Sequence, residues 1–130
     1  MPMISFDAFV LREGAPIYLQ IVSYLQREAA AGRIRDGDEL PSRRVLSARL
    51  AVNPNTVQKA YRQLEEEGLI QSRPGAGSRI TASPQQVAQI RRELFRTEVR
   101  DTVAAMKRMG LGKEEALDLL RRLDDEEEER

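Results

Sequence analysis

The sequence predicts a mainly α-helical chain of the α+β class: three helices and a two-stranded hairpin, then two further helices. Three observations predict it. Apolar residues recur at helical spacing in five stretches. Two of those stretches, about nine and fourteen residues long, are joined by a very tight turn, the helix-turn-helix pattern. Two short strand-like runs flank Pro74-Gly75-Ala76-Gly77, which reads as a hairpin tip.

Residues 3–11, MISFDAFVL, fit a short strand with Ile4, Phe6, Ala8 and Val10 on one face, and Arg12 to Ala15 read as a turn. Pro16 opens the first helix, because proline at the first helical position sacrifices no hydrogen bond. Ile17, Ile21, Tyr24, Leu25 and Ala29 recur along it, and Gly32 stops it. Arg33 to Glu39 reads as a polar linker turning at Gly37. Ser42 then caps a short helix carrying Val45, Leu46 and Leu50, broken at Ala51-Val52. Asn53 caps the next helix, with Pro54 at its first position and Gly68 at its end. The strands are expected over 69–73 and 78–82. Ser83-Pro84-Gln85-Gln86 is a capping box that starts a long helix reaching Met109, where Gly110 breaks it. A last helix is expected from Lys113 to Leu123.

Composition narrows the function. The 130 residues contain no Cys and no His, which removes thiol chemistry, disulfides and nearly all zinc, haem or iron–sulfur ligation. The commonest general base is removed too, and no catalytic constellation stands out, so an enzyme is not expected. Asp36, Asp38 and Glu39 are a compact carboxylate group, but the loop is too short and the ligand spacing wrong for a metal site. No metal or cofactor is therefore expected. No apolar run approaches the ~20 residues of a membrane span, so a cytoplasmic chain without membrane attachment is the expectation.

The formal net charge is zero, so local placement of charge has to decide whether nucleic acid is a partner. Residues 1–83 carry 11 Lys/Arg and 9 Asp/Glu, while residues 84–130 carry 10 and 12. On the helix after Asn53, taking Asn55 as zero, Gln58 falls near about 300°, Lys59 near 40° and Arg62 near 340°. Val57, Ala60, Tyr61 and Leu64 fall between about 140° and 240°, on the opposite side. A polar stripe is usually a solvated face. This one contains no acid, and Glu65, Glu66 and Glu67 gather only at its far end. Asn and Gln pair with adenine and Arg or Lys with guanine in the major groove of duplex DNA. Asn53 and Thr56 stand at the helix N-terminus, where free N–H groups suit a phosphate.

Ser42, Arg43 and Arg44 open the preceding helix, the one that crosses the DNA backbone in this motif, and phosphate contacts are their expected use. Arg73 and Arg79 flank the hairpin tip, where Gly75 and Gly77 let the backbone approach a groove.

LPSRRVLSARLAVNPNTVQKAYRQLEEEGLIQSRPGAGSRI, Leu40 to Ile80, resembles the winged helix-turn-helix of the GntR family of bacterial regulators. PIYLQI and the linker before Leu40 extend the match to residues 16–81. The VNPNTVQ-A-Y form and the short C-terminal part are most similar to the YtrA-type subfamily. The resemblance implies a dimer on an inverted-repeat operator, usually a repressor, here with autoregulation and a neighbouring transporter operon as targets. It also implies DNA contacts from Arg44, from Asn53, Asn55, Thr56 and Gln58, and from Gly75. Many members carry Arg where this chain has Pro54, so base reading there does not carry over. Lys59 and Arg62 rest on the angular argument, and Arg73 on its place beside the hairpin tip.

The expected division is therefore a winged helix-turn-helix over 1–82, a short two-helix dimerisation segment over 83–124, and an acidic, disordered tail over 125–130. With Val87 at zero, Ile90 and Leu94 lie near about 300° and 340°, and Phe95, Val99, Val103 and Met106 between about 80° and 160°. So wide an apolar surface exceeds what a helix covered on one side needs. Ala116, Leu117, Leu119, Leu120 and Leu123 add a second apolar face. Two helices cannot bury this surface alone, so a homodimer is expected, as the subfamily resemblance also implies. An effector is not defined by the residues, and the hairpin is too small to enclose a sizeable ligand. An alternative reading is a winged-helix protein-interaction module with weak or vestigial DNA binding, motivated by the zero net charge.

Overall fold

The computed structural model describes residues 3–128, in the order α1 (Ile17–Ala30), α2 (Arg43–Leu50), α3 (Pro54–Glu66), β1 (Ile70–Arg73), β2 (Gly77–Ile80), α4 (Pro84–Arg108) and α5 (Lys113–Glu128). The five helices and the hairpin are those the periodicity predicts. The strand expected over 3–11 is not there. Met3 makes one bridge to Glu39, Ile4 N–H donates to Glu39 O (2.8 Å), and Phe9 N–H then turns back to Phe6 O (3.0 Å). The turn lets Phe6 and Phe9 both close on Tyr24, with ring centroids 5.1 and 5.3 Å away. Ile4 and Phe6 are buried, whereas Ala8 and Val10 face solvent.

Helix starts follow the local sequence. Ser42 Oγ accepts from Val45 N–H (3.1 Å) and Asn53 Oδ1 from Asn55 N–H (2.8 Å). At α4 the capping box is reciprocal: Gln86 N–H donates to Ser83 Oγ (3.1 Å), and Ser83 N–H to Gln86 Oε1 (3.0 Å). Gln86 Nε2 also donates to Gly68 O (3.0 Å), tying the start of α4 to the end of α3. α3 ends with Leu69 N–H on Leu64 O (2.9 Å) across Gly68, and α2 ends the same way, Val52 N–H on Ser47 O (3.0 Å). At α2 the left-handed residue is Ala51, with φ 56 and ψ 45, where a Cβ carries a steric cost.

The hairpin pairs Ile70 with Ile80, Gln71 with Arg79, Ser72 with Ser78 and Arg73 with Gly77. The supposed linker 33–39 is bound along it. Gly37 N–H donates to Ile80 O (2.8 Å), Ile80 N–H to Asp38 O (2.8 Å) and Leu40 N–H to Ser78 O (2.9 Å). Its carboxylates hold backbone donors: Asp38 Oδ2 accepts from Arg35 N–H (2.8 Å) and Asp36 Oδ1 from Ala82 N–H (3.1 Å).

Two compact units are distinguished, one reaching to Arg92 and the other beginning at Glu93, so the division falls within α4. The first has a continuous core in which Ile21, Leu25, Leu46, Val57, Ala60, Tyr61, Leu64 and Ile80 are fully buried. Val87 and Ile90, expected at a dimer face, are half-buried and pack against this core, because the first turns of α4 are held to the end of α3. Val45, read as part of the apolar face of α2, is 57% exposed. In the second unit no residue of α5 or of the distal part of α4 is buried. α5 continues to Glu128, so residues 125–128 of the acidic tail are helical. Positions 129–130 of that tail lie outside the described residues.

Candidate nucleic-acid interface

α3 has two sharply different faces. Val57, Ala60, Tyr61 and Leu64 are all 0% exposed against the core. Asn55, Lys59 and Arg62 are exposed on the other side, with Thr56 and Gln58 half-buried beside them. The four residues of the acid-free stripe therefore lie together on the outward side. Tyr61 fixes this face relative to α2: its hydroxyl donates to Pro41 O at 2.7 Å. Burial pushes the Tyr61 phenol well above its ordinary range, so it remains a protonated donor there.

The sequence places a phosphate at the N-terminus of α3, but the donors there are already engaged. Pro54 has no N–H, Asn55 N–H is held by the Asn53 side chain (2.8 Å), and Thr56 N–H donates to Asn53 O (2.9 Å). α2 offers the better site. Ser42 satisfies only Val45 N–H, and among the described residues the Arg43 and Arg44 backbone N–H groups have no acceptor within the chain. Ser42 and Arg44 are exposed, and Arg44 makes no ion pair among the described residues.

Two cations of the expected set are held by the protein. Arg43 Nη2 donates to Glu65 Oε1 (3.2 Å), and its guanidinium lies 5.3 Å from the Tyr61 ring centroid. Lys59 Nζ lies 4.1 Å from the centroid of Tyr18 on α1, a cation–π contact that steadies the ammonium at the edge of the stripe. Two of the three acids beyond the stripe are also engaged, Glu65 by Arg43 and Glu67 by Gln26 Nε2 (3.0 Å). These cross-element partners leave no periodic signal in sequence.

The wing tip is exposed from Arg73 to Gly77. Ala76 N–H closes on Arg73 O (3.0 Å), with Pro74 at the second position and Gly75 at φ +75 in the third. That turn requires positive φ where Gly75 stands. Arg79, facing Gln71 across the hairpin, is half-buried. Among the described residues no group of three His, Cys, Asp or Glu is placed to hold a metal ion, and no helix is long and apolar enough to cross a membrane.

Two helices joined at a left-handed residue, an outward stripe free of acids and a two-stranded wing define a winged helix-turn-helix transcriptional regulator. Residues 17–80 match the bacterial regulatory proteins of the gntR family. The chain is 36% identical over 103 residues to the HTH-type transcriptional regulator YhcF of Bacillus subtilis, covering 79% of this chain and 85% of that one. It is 43% identical over 79 residues to the HTH-type transcriptional repressor YtrA of the same organism, covering 61% of this chain and 58% of YtrA. A GntR family transcriptional regulator from Listeria monocytogenes superposes with a TM-score of 0.78 at 31% identity, covering 86% of this chain and 98% of that one. The chain belongs to the GntR family, whose relatives here, YtrA among them, are HTH-type transcriptional regulators and not enzymes.

Proposed function

We propose that the chain is a dimeric repressor that binds an inverted-repeat operator in duplex DNA. The observation that carries the reading is the two-faced α3, with four core residues at 0% exposure behind an acid-free stripe of Asn55, Gln58, Lys59 and Arg62. α3 enters the major groove, Gln58 and Asn55 read base edges, and Arg62 and Lys59 supply charge or guanine contacts. Ser42 and Arg44, with the free N–H groups of α2, bind the phosphate backbone. Arg73, Gly75 and Gly77 carry the wing to the neighbouring groove. Asn53 and Thr56 shape the helix start, and because the Thr56 N–H is held by Asn53 O, Thr56 makes its contact through its side chain.

The relative YtrA is a transcriptional repressor, and the subfamily resemblance extends that role to the chain's own promoter and a neighbouring transporter operon. A palindromic site needs two copies. The second unit supports this with apolar side chains in solvent: Phe95 at 66% and Leu120 at 63%, with Val99, Val103 and Leu123 also exposed. Leu94, Met106 and Leu117 are half-buried on the same helices. Residues 93–128 thus form the dimerisation segment, with the protein working in the cytoplasm where its operator lies.

The test is a mobility-shift titration of the upstream intergenic fragment. Arg44→Ala and Gln58→Ala each weaken binding, and unchanged binding by both would remove the site assignment.

A further inference from the structure

Arg43 is grouped with the backbone-binding residues by sequence, yet its side chain turns inward. Nη2 donates to Glu65 Oε1 at 3.2 Å and reaches Ser72 Oγ at 3.5 Å. Ser72 gives its hydroxyl proton to the same Glu65 oxygen, so the 2.6 Å contact between the two hydroxyls has Ser78 donating to Ser72. The four residues come from α2, α3, β1 and β2 in turn. Ser72 and Ser78 face each other one pair inward of Arg73 and Gly77, where the wing tip begins. A continuous polar chain therefore links the start of α2 and the end of α3 to the base of the wing.

The charge of Arg43 is spent inside this chain. Arg43 and Glu65 are 35% and 34% exposed, and Arg43 Nε is buried with no hydrogen-bond partner. A residue placed only for packing would be apolar, since a buried N–H without an acceptor costs stability. A residue placed for phosphate would project into solvent, as neighbouring Arg44 does. Its Nη2 instead reaches a carboxylate on one element and a hydroxyl on another, so a single guanidinium nitrogen ties the end of α3 to the base of the wing.

We propose that Arg43 is a positioning residue that sets the angle of the wing to α3 through Glu65 and Ser72, so that both reach their grooves together. This rests on the DNA-binding reading above. Base pairs under the wing then depend on Arg43 although it does not touch them.

The test is a double-mutant cycle on the full chain with its upstream fragment, together with amide hydrogen exchange of the free protein. Arg43→Met weakens binding about tenfold with the wing intact, and less than about twofold when Arg73→Ala has already removed the wing's grip on DNA. Arg44→Ala remains additive with Arg73→Ala. Additive losses for Arg43→Met would overturn the proposal, because Arg43 would then contact DNA itself. In the free protein, Arg43→Met and the milder Ser72→Ala both speed exchange over Gln71–Arg79, with α1 and α3 protected as in the wild type. Unchanged wing protection in both variants would overturn the proposal whatever the DNA result. Absence of DNA affinity in the wild-type chain would overturn the DNA-binding reading, and with it the purpose assigned to Arg43.

Discussion

Tyr61 is fully buried, yet its hydroxyl donates to the carbonyl of Pro41, one residue before the cap of α2. Tyr61→Phe leaves that carbonyl without its donor and is predicted to cost about 1–2 kcal/mol, read as a lower urea midpoint. On the outer side of the motif, the roles proposed for Gln58 and Arg44 separate two kinds of DNA recognition. Gln58→Ala should cost about 1–3 kcal/mol on the operator and nothing on unrelated duplex, because an amide reads a base edge. Arg44→Ala should weaken all duplexes alike and lower the salt slope by about 1 for each phosphate it no longer neutralises. Competition binding with the two DNAs distinguishes these outcomes. The outward placement of the stripe on α3 was legible from a 100° advance per residue. What holds Arg43 and Lys59 was not, since Glu65, Ser72 and Tyr18 meet them only after the chain has folded.

Helix boundaries were legible wherever the deciding chemistry is local. Ser42, Asn53 and the Ser83–Gln86 pair each use a hydrogen bond spanning two or three residues. The segments at 3–11 and 33–39 are not legible in the same way because their partners are distant. Glu39 and Tyr24 bend the first, and β2 holds the second. The junction between α2 and α3 yields a prediction. Ala51 is exposed and left-handed, a conformation that costs a Cβ-bearing residue about 1–2 kcal/mol. Ala51→Gly removes that cost but adds freedom to the unfolded chain, for a net gain of about 0.5–1 kcal/mol by thermal or urea unfolding. A loss of stability would mean that the Ala51 methyl contributes packing that its exposure does not suggest.

For the whole molecule the question is how one chain with 21 positive and 21 negative residues would bind DNA as the proposed dimer. The apolar side chains of the second unit are exposed in the single chain, so charging them should not unfold it. Phe95→Asp with Leu120→Asp is predicted to leave the thermal unfolding of the winged unit unchanged while sedimentation shifts from dimer to monomer. Operator affinity should fall with it, since each half-site is then held alone. The zero net charge makes salt the sharpest probe, because affinity is assigned to cations gathered on one face, whatever the total. The most direct measurement is therefore equilibrium binding of the full chain to its own upstream fragment, by fluorescence anisotropy, from about 50 to 200 mM salt. Tight binding is predicted at the low end, with a steep linear fall of log K against log salt. No measurable affinity at low salt would contradict this, and would favour a winged helix that docks a protein partner.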